Sequence, residues 1–563
     1  MDTRKSNTIW EIGMLAAGDV HPDKFRNFLI SNIYIVSYED KLLKTSLFEG
    51  LYKSAKEMNR HVDGTTLRKV QKELRTHSFE ELQEFVSECL SSNAYQSRFS
   101  ESSNDSITEL AYELLDIDGA GHIVYDMGSG NGTFLAKVFK RTREKGFYLK
   151  DLLGSEINIE EALASQMALD IISDGSVKPY IKTGNALEEV IPFTRAFVFP
   201  PLNMKKMLDQ SRTSKLFPDI EFTNRNTSEW LFVDQLLGEA PFQFKAVALV
   251  SGRALFNDAD KDFRNKLVQN GFLEAIIELP NGSLNFIGVK VYLLVLSKGN
   301  KEVKLVDASN VLENSPKRFN KVELPVAQIL DLYNNPNTPS KTLDELKSLN
   351  NLIPSSVLLD VDKPKNGTPL GELAEVFTGN QYTLGVFEKN GMLSSKPTGY
   401  RILTSSDIED GVVDWKSLRS INYDDDKFNK YAVKKNDLVV TSKSSKVKTV
   451  VVDIEPKEKI LVTGGMIIVR PDTKKLDPTY LKIFLDSEQG QNALKAIQKG
   501  SIIITINSKE LSTILVPLID LDKQIEKAQR YNEKLSTLYA LKQEARKLED
   551  ALKNFYLDES EEE

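Results

Sequence analysis

An aspartate that ends an apolar run, followed by glycines at alternate positions, can fold a backbone turn around a small polar ligand. The segment Val124-Tyr125-Asp126-Met127-Gly128-Ser129-Gly130-Asn131-Gly132-Thr133-Phe134-Leu135 has that form. Gly128, Gly130 and Gly132 let the chain turn tightly and approach a ligand closely. Asp126 sets a carboxylate where a ligand's polar tail would lie. Further on, Glu156 in Leu153-Gly154-Ser155-Glu156-Ile157-Asn158 follows the next apolar run. An acid at that place can hold a ribose diol. Dinucleotide enzymes use similar turns, so the glycines alone leave a nicotinamide cofactor open. They also leave open a purely structural turn with a solvated carboxylate.

These residues need a strand–turn–helix–strand frame, and the surrounding sequence predicts one. Between residues 116 and 310, HIVYD, GFYLKDLLGS, RAFVF, KAVALVS, LEAIIELP and KVYLLVLSK read as strands, with FLAKVFKRTRE and EALASQMALDII as helices between them. That alternation predicts a doubly wound, Rossmann-like α/β domain. Residues 1–115 read as a helical N-terminal domain, from apolar spacing of three and four in SLFEGLYKSAKEM and SFEELQEFVSECL. Residues 311–365, rich in Asn, Pro, Lys and Ser, read as a linker. From 366 to 520, short β-rich runs between Gly, Asn and Asp turns predict an α+β domain. Residues 521–563 read as a long helix with an acidic tail. Leu521, Ile525, Ala528, Leu535, Leu538, Ala545, Leu548, Leu552 and Phe555 lie near a 3.5-residue period. The expected class is therefore multidomain α/β.

Composition narrows the function. The 563 residues hold 40 % apolar and 27 % charged side chains, as soluble globular chains do. No apolar run reaches the ~18 residues that span a bilayer, and no secretory leader is evident. With one cysteine, Cys89, and four scattered histidines, neither a disulfide nor a metal site is expected, and a reducing cytoplasm fits. The net charge of −8 argues mildly against nucleic acid, yet binding needs only a local basic surface. Residues 427–448 carry seven lysines against the single acid Asp437.

DMGSGNGTFL resembles motif I of adenine-specific DNA methyltransferases, and GSEIN resembles the motif whose acid binds the cofactor ribose. AVALVSGR, FRNKL, LEAIIELP and VYLLVLSK resemble the later strands of type I restriction-modification modification subunits in order and spacing. The resemblance covers roughly residues 60–310 and implies S-adenosylmethionine. Asp126, Gly128, Gly130 and Gly132 would surround its methionine moiety, and Glu156 its ribose. Asn185 stands where the family usually has Asp, and Phe99 where it has an aromatic-Thr-Pro segment. The family's catalytic motif is Asn or Asp, Pro, Pro, then Phe or Tyr. The polar side chain accepts from the amine of a flipped-out adenine, and the aromatic ring stacks on the base. This chain reads Phe199-Pro200-Pro201-Leu202. Phe199 cannot accept a hydrogen bond and Leu202 has no π-face. Two expectations follow: adenine N6 methylation with Asn203 shifted in as acceptor, or an inactive methyltransferase-like module that locates DNA for a partner nuclease.

Residues 366–520 resemble a target-recognition domain of type I specificity subunits, through GELAEVFTG, ILTSSDIEDG, KNDLVVT and ILVPL before the long helix. The resemblance implies double-stranded DNA as partner. Lys434, Lys435, Lys443, Lys446 and Lys448, mixed with Ser442, Ser444, Ser445 and Thr449, would meet phosphates and base edges, and Gln381 and Tyr382 are further candidates. A solvated lysine face is the alternative. One recognition domain with one long helix implies pairing with a second copy or a separate specificity partner, within a restriction-modification or phage-defence assembly.

Overall fold

The computed structural model describes residues 3–39, 46–91, 105–119, 121–188, 191–202, 204, 210–284, 289–312, 323–347, 349–359, 367–380, 382–422, 426–443, 447–498 and 505–558. The chain divides into two compact units, Met1–Leu358 and Leu359–Glu563.

The first unit is organised by a mixed sheet. Its strands are β1 (Ile123–Met127), β2 (Asp151–Glu156), β3 (Pro179–Thr183), β4 (Arg195–Val198), β7 (Lys245–Ser251), β8 (Leu273–Glu278), β9 (Val291–Leu296), β10 (Glu302–Asp307) and β11 (Ser340–Thr342). A separate two-stranded ribbon pairs β5 (Arg212–Thr213) with β6 (Glu221–Phe222). The sheet order is β11-β10-β8-β9-β7-β4-β1-β2-β3. β3, β2, β1, β4 and β7 run parallel, and β9 lies antiparallel between β7 and β8. The central strands are nearly continuous in apolar residues because helices cover both faces. From β1 the chain moves outward through β2 and β3, then returns to β4 on β1's other side. The order therefore reverses at β1, and in such sheets ligands bind beyond the carboxyl ends at that reversal.

One apolar core joins a face of this sheet to the N-terminal helices, so these helices pack as part of the unit. The Phe25–Tyr38 helix is almost wholly buried, and its Arg26 Nη2 pairs with Glu161 Oε2 at 2.6 Å on the Ile159–Ser173 helix. The opposite face packs on the Glu229–Gly238 helix through Trp230, Val233 and Leu236. Much of the segment expected as a linker belongs to this unit. β11 pairs antiparallel with β10, and Leu346, Leu352 and Ile353 enter the core. Ser355 donates to the fully buried carboxylate of Glu278 from its backbone N–H (2.8 Å) and hydroxyl (2.9 Å). Its composition reads as loop because these elements are short and bury few side chains each.

In the second unit the strands are β12 (Gly367–Pro369), β13 (Ala374–Thr378), β14 (Leu393–Ser394), β15 (Tyr400–Leu403), β16 (Arg419–Ile421), β17 (Leu438–Thr441), β18 (Thr449–Val451), β19 (Lys459–Val462), β20 (Met466–Pro471) and β21 (Leu515–Pro517). They form two four-stranded sheets, β13-β20-β17-β18 and β14-β16-β15-β19, and a β12–β21 pair that brings the two ends of the unit together. Asp437 is buried. Its carboxylate accepts two bonds of 2.8 Å from Arg470 and caps the turn at Lys434 N–H, also at 2.8 Å. The Asp in KNDLVVT is therefore a structural pin. In ILTSSDIEDG, Thr404 and Asp407 form a reciprocal helix cap.

The terminal helix spans Leu521–Asp558, about 57 Å at 1.5 Å per residue. It presents two apolar sets. Ala528 is buried, Leu535 is half-buried, and Lys542 and Arg546 pair with Asp410 and Glu409 at 2.9 Å. Leu538, Leu541, Leu548 and Leu552 lie on another face and are 47–73 % exposed.

Candidate cofactor site and recognition surface

The glycine turn leaves β1 beyond its C-terminal end, between β2 and β4. Gly128, Gly130 and Gly132 have φ of 96°, 51° and 81°, the left-handed region where glycine is favoured. Each has a different use. A Cβ on Gly132 would strike the Ser165 hydroxyl. Cβ atoms on Gly128 or Gly130 would meet nothing within 4 Å, so those positions border open space. The turn is tied to β2 by Gly128 N–H and Ser129 N–H donating to Ser155 O at 3.0 and 2.8 Å.

Glu156 ends β2 and braces the same turn. Its Oε2 accepts from Gly130 N–H at 2.9 Å and its Oε1 from Asn158 N–H at 2.8 Å. Each oxygen keeps a lone pair for a ligand hydroxyl. Asp126 is buried in the middle of this arrangement. Burial pushes its carboxyl well above the usual range, and the nearby Glu156 charge adds to the rise. A buried acid with this poise favours a cationic ligand group, which would offset the cost of its charge. Open space at two glycines, a buried acid and an acid with free lone pairs fit a nucleoside cofactor carrying an ammonium group.

Asn185 lies in the loop after β3. Its Oδ1 accepts from Leu187 N–H at 3.1 Å and its Nδ2 donates to Glu188 at 3.2 Å, so its amide caps a local turn. Phe199 and Pro200 follow β4, whose register sets Val198 beside Met127. That brings Phe199-Pro200-Pro201-Leu202 close to the glycine turn. Phe199 is half-buried and packs on the main core, and Leu202 is buried within it. Asn203 and Phe99 lie outside the described residues.

Sequence reasoning missed the support under the Pro-Pro segment. Glu229, fully buried, accepts from the Ser251 hydroxyl at 2.5 Å and the Ser228 hydroxyl at 3.1 Å. Ser228 Oγ also reaches Pro201 O at 3.3 Å and accepts from Met204 N–H at 2.9 Å. The only signal was one acid inside the apolar run TSEWLFV.

The four described lysines of the predicted five do not form one patch. Lys434 and Lys435 are exposed ahead of β17, whereas Lys443 and Lys448 flank the β17–β18 turn at the other end, about 13 Å away along the strand. The Lys448 ammonium donates to Ser405 O (3.2 Å) and Ile408 O (2.9 Å). Lys446, Ser444, Ser445 and Gln381 lie outside the described residues. Tyr382 is partly exposed and meets Phe387 edge-on at 5.8 Å. Among the described residues no cluster of His, Cys, Asp and Glu could hold a metal ion, and no helix is long and apolar enough to cross a membrane.

The mixed sheet with its glycine turn is similar to the fold of S-adenosylmethionine-dependent methyltransferases. The N-6 DNA methylase family model matches residues 102–366, and the chain resembles the adenine methyltransferases of type I restriction-modification systems. The specificity subunit of the type I restriction enzyme EcoBI from Escherichia coli is 31 % identical over 135 residues. That match covers 23 % of this chain and 28 % of the subunit, so the chain spans little more than a quarter of that relative's length. A nuclease-deletion mutant of the type ISP restriction-modification enzyme LlaGI, solved with a DNA substrate mimic, shares the fold with a TM-score of 0.53 at 10 % identity. The alignment covers 95 % of this chain and 68 % of that one. The type I methyltransferase subunit from Streptococcus thermophilus aligns with a TM-score of 0.46 at 12 % identity, over 61 % of this chain and 96 % of its own.

The raised Asp126 carboxyl gives a pH-dependent prediction. The folded chain holds this proton at pH values where the unfolded chain has released it. Stability is therefore lost as pH rises from the ordinary carboxylate range towards the raised folded value. Asp126→Asn, measured by urea unfolding without ligand, is expected to be more stable than the natural chain near pH 7 and no more stable near pH 3. An equal effect at both pH values would contradict the assignment.

Proposed function

We propose that this chain binds S-adenosylmethionine at the glycine turn and recognises specific DNA through its second unit, as a component of a restriction-modification or phage-defence assembly. The observation that carries this reading is the turn at the β1 reversal, with Asp126 buried beneath it and Glu156 across it. When bound, S-adenosylmethionine supplies a methyl group on a sulfonium. Asp126 would hold the ammonium of the methionine moiety, Glu156 the ribose diol, and the open sides of Gly128 and Gly130 would admit the chain between them. Family chemistry would place a target adenine at the Pro-Pro segment, fixed there by Ser228 and Glu229.

The packing of Phe199 and Leu202 favours the second reading, a methyltransferase-like module with degraded chemistry. Without an acceptor at Phe199, the amine loses a hydrogen bond where charge develops, a cost on the order of 3 kcal/mol or about a hundredfold in rate. Transfer of labelled methyl groups to mixed-sequence genomic DNA is expected to be near background for the natural chain and to rise with Phe199→Asn. Efficient labelling of adenine by the natural chain would overturn the degraded reading.

Recognition would draw on Lys434, Lys435 and Lys443 for phosphates, and the terminal helix would supply a partner surface. Leu538, Leu541, Ala545, Leu548 and Leu552 follow a heptad seam flanked on one side by Lys542. Antiparallel pairing with a second copy would set Lys542 beside Glu549 of the partner subunit, twice by symmetry. Parallel pairing would set Glu544 beside Glu549 of the partner subunit, a like-charge contact. An antiparallel homodimer would present two recognition units to an inverted two-part site. Sedimentation at micromolar concentration is expected to show a dimer that Leu541→Lys with Leu548→Lys converts to monomer. A natural chain that sediments as a monomer would exclude this pairing.

A further inference from the structure

In the second unit both sheets deliver strand ends to one place. β13, β15, β17 and β19 run towards it, and β18 and β20 start from it. Backbone bonds join the segments beyond these strands into one surface. Asn380 N–H donates to Val462 O (2.7 Å), Thr463 N–H to Leu403 O (3.2 Å) and Ser442 N–H to Gly465 O (2.8 Å). At Gly379 the backbones approach as closely as they can, since a Cβ there would lie 2.6 Å from the carbonyl oxygens of Val462 and Thr463. Tyr382, Thr383, Ser405, Ser406, Lys443 and Lys448 stand exposed in these segments. The acids of the same segments are engaged. Asp407 accepts from Thr404 N–H and Oγ1 at 2.7 Å and pairs with Arg419 at 3.4 Å. Glu409 and Asp410 pair with Arg546 and Lys542. Among the described residues Lys443 has no acidic partner, and the Lys448 ammonium bonds carbonyl oxygens. The opposite end of the sheets carries Lys434 and Lys435 together with exposed Glu375, Asp453, Glu455 and Asp472.

A phosphate backbone favours the end whose cations have no acids beside them. Hydroxyl side chains suit base edges, because they both donate and accept and are short enough to let the backbone come close. Among the described residues the Thr383 and Ser405 hydroxyls have no partner, and Ser406 Oγ meets the Thr404 hydroxyl at 2.8 Å. The two bonds from Lys448, to Ser405 O and Ile408 O, hold the turn that carries both serines. The Tyr382 ring, set edge-on against buried Phe387, offers an apolar surface of the kind a thymine methyl group meets. Neighbouring strand ends lie about 5 Å apart, and a major groove about 12 Å wide admits two of them. We propose that this end of the second unit enters the major groove of duplex DNA. Thr383, Ser405 and Ser406 read base edges there, Tyr382 meets a thymine methyl, and Lys443 and Lys448 hold the flanking phosphates. The inference rests on the DNA reading above and narrows it, leaving Lys434 and Lys435 with phosphates alone.

Selection by the full chain from a pool of random-sequence duplexes, with sequencing of the bound fraction, tests this surface. The natural chain is expected to enrich a motif. Ser405→Ala with Ser406→Ala should change the preferred base at one or more positions of that motif and weaken binding to the natural motif about tenfold. Lys443→Ala should weaken all sequences alike and lower the salt slope by about one. Lys434→Ala with Lys435→Ala should leave the motif unchanged. All of these positions are exposed, where substitution leaves the fold intact. Absence of duplex binding would sink the DNA reading and this surface together. Duplex binding without an enriched motif would overturn the surface and leave DNA binding by the chain standing. So would a motif that survives the serine changes, or one that shifts with the Lys434 and Lys435 changes.

Discussion

The structure of the first unit depends on the seam between β1 and β2, where backbone N–H groups of the glycine turn find acceptors on the neighbouring strand. Gly128 and Ser129 donate to Ser155 O, and Gly130 donates to Glu156. These bonds hold three left-handed glycines in register, and they also fix Glu156. Glycine reaches this region without strain, and the bonds to β2 select that one conformation among the many open to it. Gly154 is part of that constraint, because a Cβ there would meet the Ser129 side chain at 2.8 Å. The same geometry that satisfies the backbone leaves the open sides of Gly128 and Gly130 to a ligand and keeps Asp126 dry. At Asp126 burial raises the cost of the carboxylate charge and so opposes stability wherever that charge forms.

The second unit divides its charged residues between two tasks. Asp437 and Arg470 are spent on each other, and buried Lys482 is spent on Thr449 and on Asp486 at 2.5 Å. Removing one member of such a pair strands the other charge away from water, so these residues hold the sheets together. Lys434, Lys435 and Lys443 remain exposed.

Much of the frame was legible in the sequence because central strands buried on both faces read as unbroken apolar runs. β1, β2, β4, β7, β8 and β9 fall on such runs. β3 (PYIKT), β10 (EVKLVD) and β11 (SKT) were missed, since these strands at or next to the sheet's two edges are short or mix apolar with polar residues and resemble loop. The Pro478–Asp486 and Glu488–Ala496 helices were hidden among the β-rich runs of the second unit. In the site, the glycines and the two acids were legible because their spacing is local. Glu229 was not, since its role depends on contacts made across the fold. The lysines clustered in sequence separate in space because a strand carries the chain between them. The single 3.5-residue pattern of the terminal helix was the sum of two stripes, one facing the unit and one facing outward.

The central claim is that the glycine turn is a cofactor site of the methyltransferase kind. Calorimetric titration of the full chain with S-adenosylmethionine, beside NAD and beside the Glu156→Ala variant, tests it most directly. The account predicts saturable one-to-one binding of S-adenosylmethionine, weakened at least about tenfold in the variant by loss of a charged hydrogen-bond partner, with no binding of NAD. Tighter binding of NAD, or no binding of either cofactor, would contradict it.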